Sequence, residues 1–316
     1  MVLAKQVPDT RQVGPDAMNA DGTVNRAALP AVFNPEDLNA LEQALRLKDQ
    51  NPGSTVTLLT MGPERAQEIV MEGMLRGADG GWLLSDRLFA GADTLATSYA
   101  LATAIRHIGV PDIILCGRQA IDGDTAQVGP QVAQKLGLPQ VTYVEEILSV
   151  TAANSQFPTA NSQFPTANGQ FPTTNGQPTG ASQPQANLQP PTVNSQPPTA
   201  NGQPPTASLL LRRVITGGVE TVSVPLPVLL TVNGSAAECR PRNARLIMSR
   251  KRYRVPVLSV ADICADAARC GLAGSPTKVR KIENISFQAK ESMRLDGDDA
   301  GIGTLVSELR EKHIIG

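Results

Sequence analysis

The sequence predicts an α/β fold: a parallel sheet covered by helices on both faces, with an antiparallel hairpin and a C-terminal arm added to it. Three observations predict this. Between residues 1 and 143, short apolar runs alternate with segments of helical period. Polar, glycine-bearing loops recur where the runs end, at 8–14, 61–63, 85–93 and 118–130. The alternation then stops at an uncharged repeat, beyond which the pattern becomes strand, turn, strand.

The elements follow in order. Val2, Leu3 and Ala4 make a first strand that is clipped before Lys5, as expected if the start is placed a few residues late. Asn34 caps the first helix, with Pro35 at its first position and Asp37 three residues beyond the cap. Leu38, Leu41, Leu45 and Lys48 continue its period. Residues 55–60 (TVTLLT) read as a strand, 61–63 as a turn and 64–76 as a helix. A short strand at 82–84 precedes a helix that Asp93 caps, whose core side is Leu95, Ser98, Ala102, Ile105 and Ile108. Then come a strand at 113–115, a loop at 117–130, a helix at 128–136 and a strand at 140–143. Parallel sheets of this kind bind ligands at the carboxyl ends of their strands, where these polar, glycine-bearing loops lie.

The loop GRQAIDGDTAQVGP at 117–130 carries the most chemistry. Helix-start N–H groups are unpaired and the helix dipole favours an anion there, so a strand–loop–helix of this composition suits a phosphate. Gly123 and Gly129 would let the backbone approach a ligand closely. An ordinary βα turn has the same composition, and both readings stand at this point.

Composition excludes several classes. A net charge of −1 with 18% charged residues gives no field for nucleic acid or an anionic membrane. One Trp, three Tyr and six Phe leave little for base stacking. His107 and His313 are the only histidines, which argues against a His-based metal site or general base. Cys116, Cys239, Cys264 and Cys270 lack CxxC spacing and read as free thiols of a reducing cytoplasm. No apolar run approaches the ~18 residues of a membrane span. No Walker, HxGH or Ser-Gly-Gly-x-Asp signature supports a stand-alone nucleotide-transforming enzyme.

Residues 153–208 are built on a seven-residue unit (NSQFPTA, NGQPPTA) without a charged residue. Proline in each unit rules out a coiled coil, and the composition predicts a disordered insertion, extended in places as polyproline II. It reads as a neutral repeat expansion in a surface loop, against a ligand for a Pro-binding module or a spacer. Residues 144–150 and 209–215 flank it as strands, followed by 220–224 and 228–232 with a tight turn at Gly217-Gly218. The simplest arrangement is an antiparallel hairpin or meander beside the parallel sheet. Residues 238–253 are rich in Arg and Lys, either a solvated basic loop, a phosphate clamp or a docking surface for an acidic partner. Residues 271–300 read as an irregular arm. The last helix, over 303–314, is amphipathic through Leu305, Val306, Leu309 and Ile314.

Six segments in order, KQVPDT (5–10), NPEDLNALEQALRLKD (34–49), TMGPERA (60–66), SDRLFAGADTLATSYAL (85–101), CGRQAIDGDTAQVGP (116–130) and RPRNARLIMSRK (240–251), make the chain resemble the beta (small) subunit of electron-transfer flavoproteins. The resemblance covers nearly all of 1–153 and 209–316. It implies an adenine-nucleotide-binding domain of the alpha-hydrolase-like, Rossmann type over 1–152 and 209–235, and a docking loop with C-terminal arm over 236–316 that contacts an alpha subunit. The insertion departs from the family pattern.

By resemblance, the nucleotide lies along the carboxyl edge of the sheet. Its walls would be Leu3, Ala4, Asn34, Pro35, Asp37, Met61, Gly62 and Pro63, with Gly117, Gln119, Asp122, Gly123, Asp124, Thr125, Gln127, Val128, Gly129, Pro130 and Gln131. Thr125, Gln127 and backbone N–H groups would surround the phosphate, and Asp122 would order the loop or touch the adenosine. One class of the family holds AMP in this subunit; the other holds FAD and meets NADH there. The chain resembles the second class more closely. Arg87, Ala90, Gly91, Asp93, Thr94 and Thr97 would then house or bond the flavin, with Asp93 and Thr94 also capping their helix. The FAD class implies electron bifurcation, from NADH toward ferredoxin or flavodoxin and through the alpha-subunit flavin toward a second acceptor. Arg242, Arg245 and Arg250 would steer an acyl-CoA or other dehydrogenase, with Leu246 as apolar anchor. A non-redox adenine-nucleotide-binding module is the competing class.

Overall fold

A computed structural model describes residues 1–9, 30–151, 207–249, 253–277 and 294–312. Residues 10–14, the repeat at 153–206, Arg250 and Ile314 lie outside these. The chain divides into two compact units, 1–17 with 25–278 and 18–24 with 279–316.

The first unit begins with β1 (Val2–Leu3), β2 (Gln6–Pro8), β3 (Ala31–Phe33), α1 (Pro35–Gln50), β4 (Thr57–Met61), α2 (Gln67–Arg76) and β5 (Gly80–Leu84). It continues with α3 (Thr94–Ile108), β6 (Ile113–Gly117), α4 (Val128–Leu136), β7 (Gln140–Thr151), β8 (Ser208–Ile215), β9 (Gly218–Pro225), β10 (Val228–Val232), α5 (Ala244–Met248) and β11 (Val257–Leu258). One sheet runs β11-β5-β4-β1-β6-β10-β7-β8-β9, and β2 pairs with β3 separately. Pairing is parallel from β11 through to β7 and antiparallel from β7 through β8 to β9. The predicted α/β class with an added hairpin is therefore the observed one.

Both faces of the sheet are apolar. One packs Val2, Leu58, Leu115 and Val232 with Leu41 and Leu45 of α1 and Val70 of α2. The other packs Leu3, Leu59, Ile114 and Leu229 with Ile105 of α3 and Val132 of α4. Glycines at Gly77 (φ 125°), Gly109 (φ 116°) and Gly137 (φ 71°) end α2, α3 and α4, where a left-handed residue closes the last turn.

The structure corrects three expectations. Residues 228–232 do not belong to the hairpin: β10 lies between β6 and β7, parallel to both. All five of its residues are buried, and a strand covered on both faces shows no alternation to distinguish it. The strands expected at 140–143 and 144–150 form one strand, β7, which turns at Tyr143 (φ 59°). Its first part pairs with β10 and the remainder, irregular in register, with β8. Leu95 is not on the core side of α3 but 42% exposed; Ala96, Ala100, Leu101 and Ala104 are buried instead. Small residues let α3 pack closely against α4 and the sheet, and alanines are easily missed as core. Beyond α5, β11 extends the edge of the sheet beside β5, and Ser275 is buried.

The second unit contains α6 (Asp299–Glu311), which starts four residues before the expected Gly303. The Asp298 carboxylate accepts the Gly301 N–H at 2.8 Å and caps it. Gly301 and Gly303 hide this first turn in the sequence, because glycine disfavours helix interiors. No residue of α6 is buried.

Candidate functional site

The strand order reverses beside β1. From β1 the chain proceeds outward through β4 to β5, then crosses back to place β6 on the other side of β1. Ligands of open α/β sheets lie in the crevice beyond the carboxyl ends of such a pair. Here that crevice is bordered by Lys5, after β1, and by the loop that begins at Gly117, after β6.

The first turn of α1 fastens this loop. Three alternate N–H groups, of Gly117, Gln119 and Ile121, donate to the side chains of Asp37 (2.8 Å), Glu36 (2.8 Å) and Asn34 (3.2 Å) in turn. Asn34 also donates its amide to the Gln119 carbonyl at 2.9 Å. The NPED segment thus pairs with an extended strand end through side chains. Asn34 occupies the N-cap position, but its side chain does not cap the helix, contrary to expectation. The second oxygen of Asp37 accepts the Lys5 N–H at 2.8 Å, so one carboxylate ties the ends of β1 and β6 together. Burial pushes the Asp37 carboxyl up to about 7, against the lowering effect of the Gly117 and Lys5 N–H groups. Glu36 also pairs with Arg118 at 3.0 Å, whose guanidinium lies 5.6 Å from the Tyr143 ring centroid. Hydrogen bonding to Glu36 raises the Arg118 pKa further.

The second helix start is open. Gln127 precedes α4 and makes no side-chain cap. Asp124 (φ 47°) and Ala126 (φ 53°) are both left-handed, although neither is glycine. Alternation between left- and right-handed backbone turns successive N–H groups toward one side, the geometry of an anion nest. Among the described residues, the N–H groups of Thr125, Ala126, Gln127 and Val128 donate to no acceptor. Thr125 is exposed beside them, and a Cβ on Gly123 would meet nothing within 4 Å. Gly129 differs: its position serves packing of α4 against β6 and β10, not an open approach. Val128 packs into the same apolar layer, and Pro130 follows in the first turn.

The 85–98 segment joins this wall. Thr94 donates its hydroxyl to the Gln127 amide oxygen at 2.8 Å, and Ser98 donates to that of Gln131 at 2.8 Å. Asp93 caps α3 through the N–H groups of Leu95 (2.9 Å) and Ala96 (3.0 Å). Its other oxygen accepts the Thr277 hydroxyl at 2.7 Å. Burial works to raise the Asp93 carboxyl, but these hydrogen bonds hold it below the ordinary range. Arg87 is exposed on a 3₁₀ turn capped by Asp86. The Ala90 carbonyl accepts the Leu272 N–H, Gly91 is left-handed (φ 71°), and the Thr97 N–H bonds the Asp93 carbonyl.

The remaining predicted residues are spread out. Leu3 and Ala4 are buried at the end of β1, and Pro35 is the first residue of α1. Met61, Gly62 and Pro63 line a separate small pocket of about 120 Å³ with Val7, Pro8 and Arg65. In the basic segment, Arg240 is bound by Glu42 (3.0 Å) and Asp49 (2.8 Å). Arg242 and Arg245 are exposed, Leu246 is half-buried, and Met248 is 88% exposed. Sequence reasoning passed over Lys5 and Arg118. Both stand inside the quoted KQVPDT and CGRQAID segments, which are their only signal. Among the described residues, no cluster of His, Cys, Asp and Glu could hold a metal, and no helix is long and apolar enough to cross a membrane.

Comparison with known proteins agrees with this architecture. The model of the electron transfer flavoprotein domain family matches residues 21–157. The electron transfer flavoprotein subunit beta of Megasphaera elsdenii is 38% identical over 324 residues, covering 99% of this chain and 96% of the relative. Subunit CarD of the caffeyl-CoA reductase–Etf complex of Acetobacterium woodii is 36% identical over 318 residues, covering 100% and 99%. The acryloyl-CoA reductase electron transfer subunit gamma of Anaerotignum propionicum is 56% identical over 144 residues, which is 45% of this chain and 53% of the relative. Identity at this level along the whole chain establishes that the protein belongs to the electron transfer flavoprotein beta subunit family.

Proposed function

We propose that this chain binds FAD at the carboxyl edge of its sheet and, paired with an alpha subunit, passes electrons from NADH and dehydrogenases to acceptors, with bifurcation at that flavin. The observation that carries the reading is the contrast between two helix starts. Asn34, Glu36 and Asp37 occupy the loop at α1, and two carboxylates there disfavour a phosphate. The start of α4 leaves four consecutive N–H groups without described acceptors. These, with the Thr125 hydroxyl, fit the phosphates of an adenine nucleotide. The polar wall continues past the phosphate loop through Thr94, Gln127, Ser98 and Gln131, an extent that supports FAD over AMP.

A bound flavin supplies the electron chemistry. The chain's own residues bind and orient: Asp93 fixes the start of α3, Thr94 sets Gln127, and Asn34, Glu36 and Asp37 fix the height of the loop. The names of the relatives from Acetobacterium woodii and Anaerotignum propionicum support CoA-ester reductases or dehydrogenases as partners. Arg242 and Arg245 would steer such a partner, and the exposed Ile247 and Met248 offer more apolar surface than Leu246. Ferredoxin or flavodoxin would be the low-potential acceptor.

The test is flavin content. Co-purified with its partner, the chain is expected to contribute one FAD of two per complex and no AMP; one FAD with one AMP per complex overturns the flavin assignment. Thr125→Arg with Gln127→Ala is expected to empty this subunit of nucleotide, and unchanged content refutes the phosphate loop.

A further inference from the structure

The crevice between β1 and β6 is bridged by one ion pair. The Lys5 ammonium lies 2.7 Å from one oxygen of Asp122 and 2.9 Å from the other. The pair therefore reaches across the position where the strand order reverses, from the end of β1 to the loop after β6.

Most polar groups around it already have partners. Asp37 holds the Lys5 and Gly117 N–H groups, Glu36 holds Arg118 and the Gln119 N–H, and Asp124 takes the Gln119 side-chain amide at 2.9 Å. Four carboxylates, of Glu36, Asp37, Asp122 and Asp124, thus flank this edge. Arg118 gives one terminal nitrogen to Glu36 and leans on the Tyr143 ring, with its Nε buried and unpaired. Lys5 is the cation in the crevice whose only described partner is solvent-accessible: its side chain is 48% exposed and that of Asp122 is 23% exposed. Exposed pairs of this kind contribute little stability, so exchanging one acceptor for another costs little.

We infer that Lys5 is the phosphate-binding cation of this site and that Asp122 is a stand-in anion, which yields the ammonium when the phosphate of a nucleotide arrives. The inference rests on the nucleotide reading above. It makes Asp122 a competitor of the ligand and not a contact for it. A phosphate in the nest at α4 and the Asp122 carboxylate repel one another, and Lys5 neutralises whichever is present. No bond is made or broken; an ion pair changes partner.

The consequence is an opposite effect of two neighbouring substitutions. The probes are ADP and adenosine, titrated calorimetrically into the nucleotide-free full chain. Lys5→Met is expected to weaken ADP by about tenfold or more and to leave adenosine within about twofold. Lys5→Arg keeps most of the ADP affinity. Asp122→Asn is expected to tighten ADP by about three- to tenfold with adenosine unchanged, because the ammonium is freed. With Lys5→Met already present, Asp122→Asn adds less. If Asp122→Asn weakens ADP as Lys5→Met does, Asp122 orders the loop and the exchange is wrong. If Lys5→Met affects ADP and adenosine equally, Lys5 does not read the phosphate. If the unsubstituted chain binds neither probe, the nucleotide site itself fails, and the exchange with it; binding of both with the wrong order overturns only the exchange.

Discussion

Gly129 lies so close to Cys116 that a Cβ on it would stand 2.8 Å from the Cys116 sulfur, and 2.9 Å from the Thr231 methyl. The glycine seats the first turn of α4 directly on β6 and β10. Gly129→Ala is therefore expected to destabilise the chain by about 1–3 kcal/mol through overpacking. Gly123→Ala, six residues earlier, is expected to change stability by no more than about 0.5 kcal/mol, since nothing lies within 4 Å of its Cβ position. Urea denaturation of the two variants checks the contrast; equal costs would contradict it.

Asp37 carries a pH dependence. Its carboxyl is pushed up to about 7 in the folded chain, from an ordinary 3.8. Below the ordinary value this group's contribution to stability is fully present, and it is lost as pH rises through about 7. The loss amounts to about 4 kcal/mol at neutral pH. Asp37→Asn removes this dependence while placing an amide where two backbone N–H groups need acceptors. The variant is expected to be much less stable than the parent at pH 5 and to close most of that gap by pH 8, measured by urea denaturation at both.

Glu42 has the opposite sign. It is buried, and although burial alone would raise its carboxyl, hydrogen bonds from Arg240 and Arg46 hold it below the ordinary range. Its contribution is present above the ordinary carboxylate range and lost as pH falls through the lowered value. Because Arg240 is partly exposed and keeps Asp49, Glu42→Gln is expected to cost about 1–3 kcal/mol at pH 7 and less in acid. Thermal melts across pH 3–7 would expose a missing acid limb.

Thr151 and Ser208 are direct partners across the β7–β8 ladder. The chain ends that flank the repeat are already side by side, so residues 152–207 can be replaced by an Asn-Gly turn without moving either strand. The melting temperature and the nucleotide content are expected to stay unchanged or rise slightly. A fall in either would give the repeat a structural role.

The elements were legible in the sequence wherever one signal was unopposed. α1 shows Pro35 and the Leu41 and Leu45 stripe, and α4 is bounded by Gln127 and Gly137, so both helices fall where their patterns place them. β10 was legible as a strand but not in its place, because VLLTV, buried on both faces, gives no clue to its neighbours. The site was legible as a set of loops but not as a set of roles. Asn34 and Asp37 have the residue types of a helix start, and only the fold turns them toward the loop at 117–121.

What the sequence determined by itself is the family, the alternation of strands and helices, and the loop that begins at Gly117, because these rest on local pattern and on segments whose order is specific. The tertiary structure alone decided which of two helix starts is open and which is spent, that Gly129 serves packing, and that Lys5 meets Asp122 across 117 residues of chain. Those depend on which strands lie side by side, and neighbours in a parallel sheet are set by crossovers that no local stretch of sequence encodes.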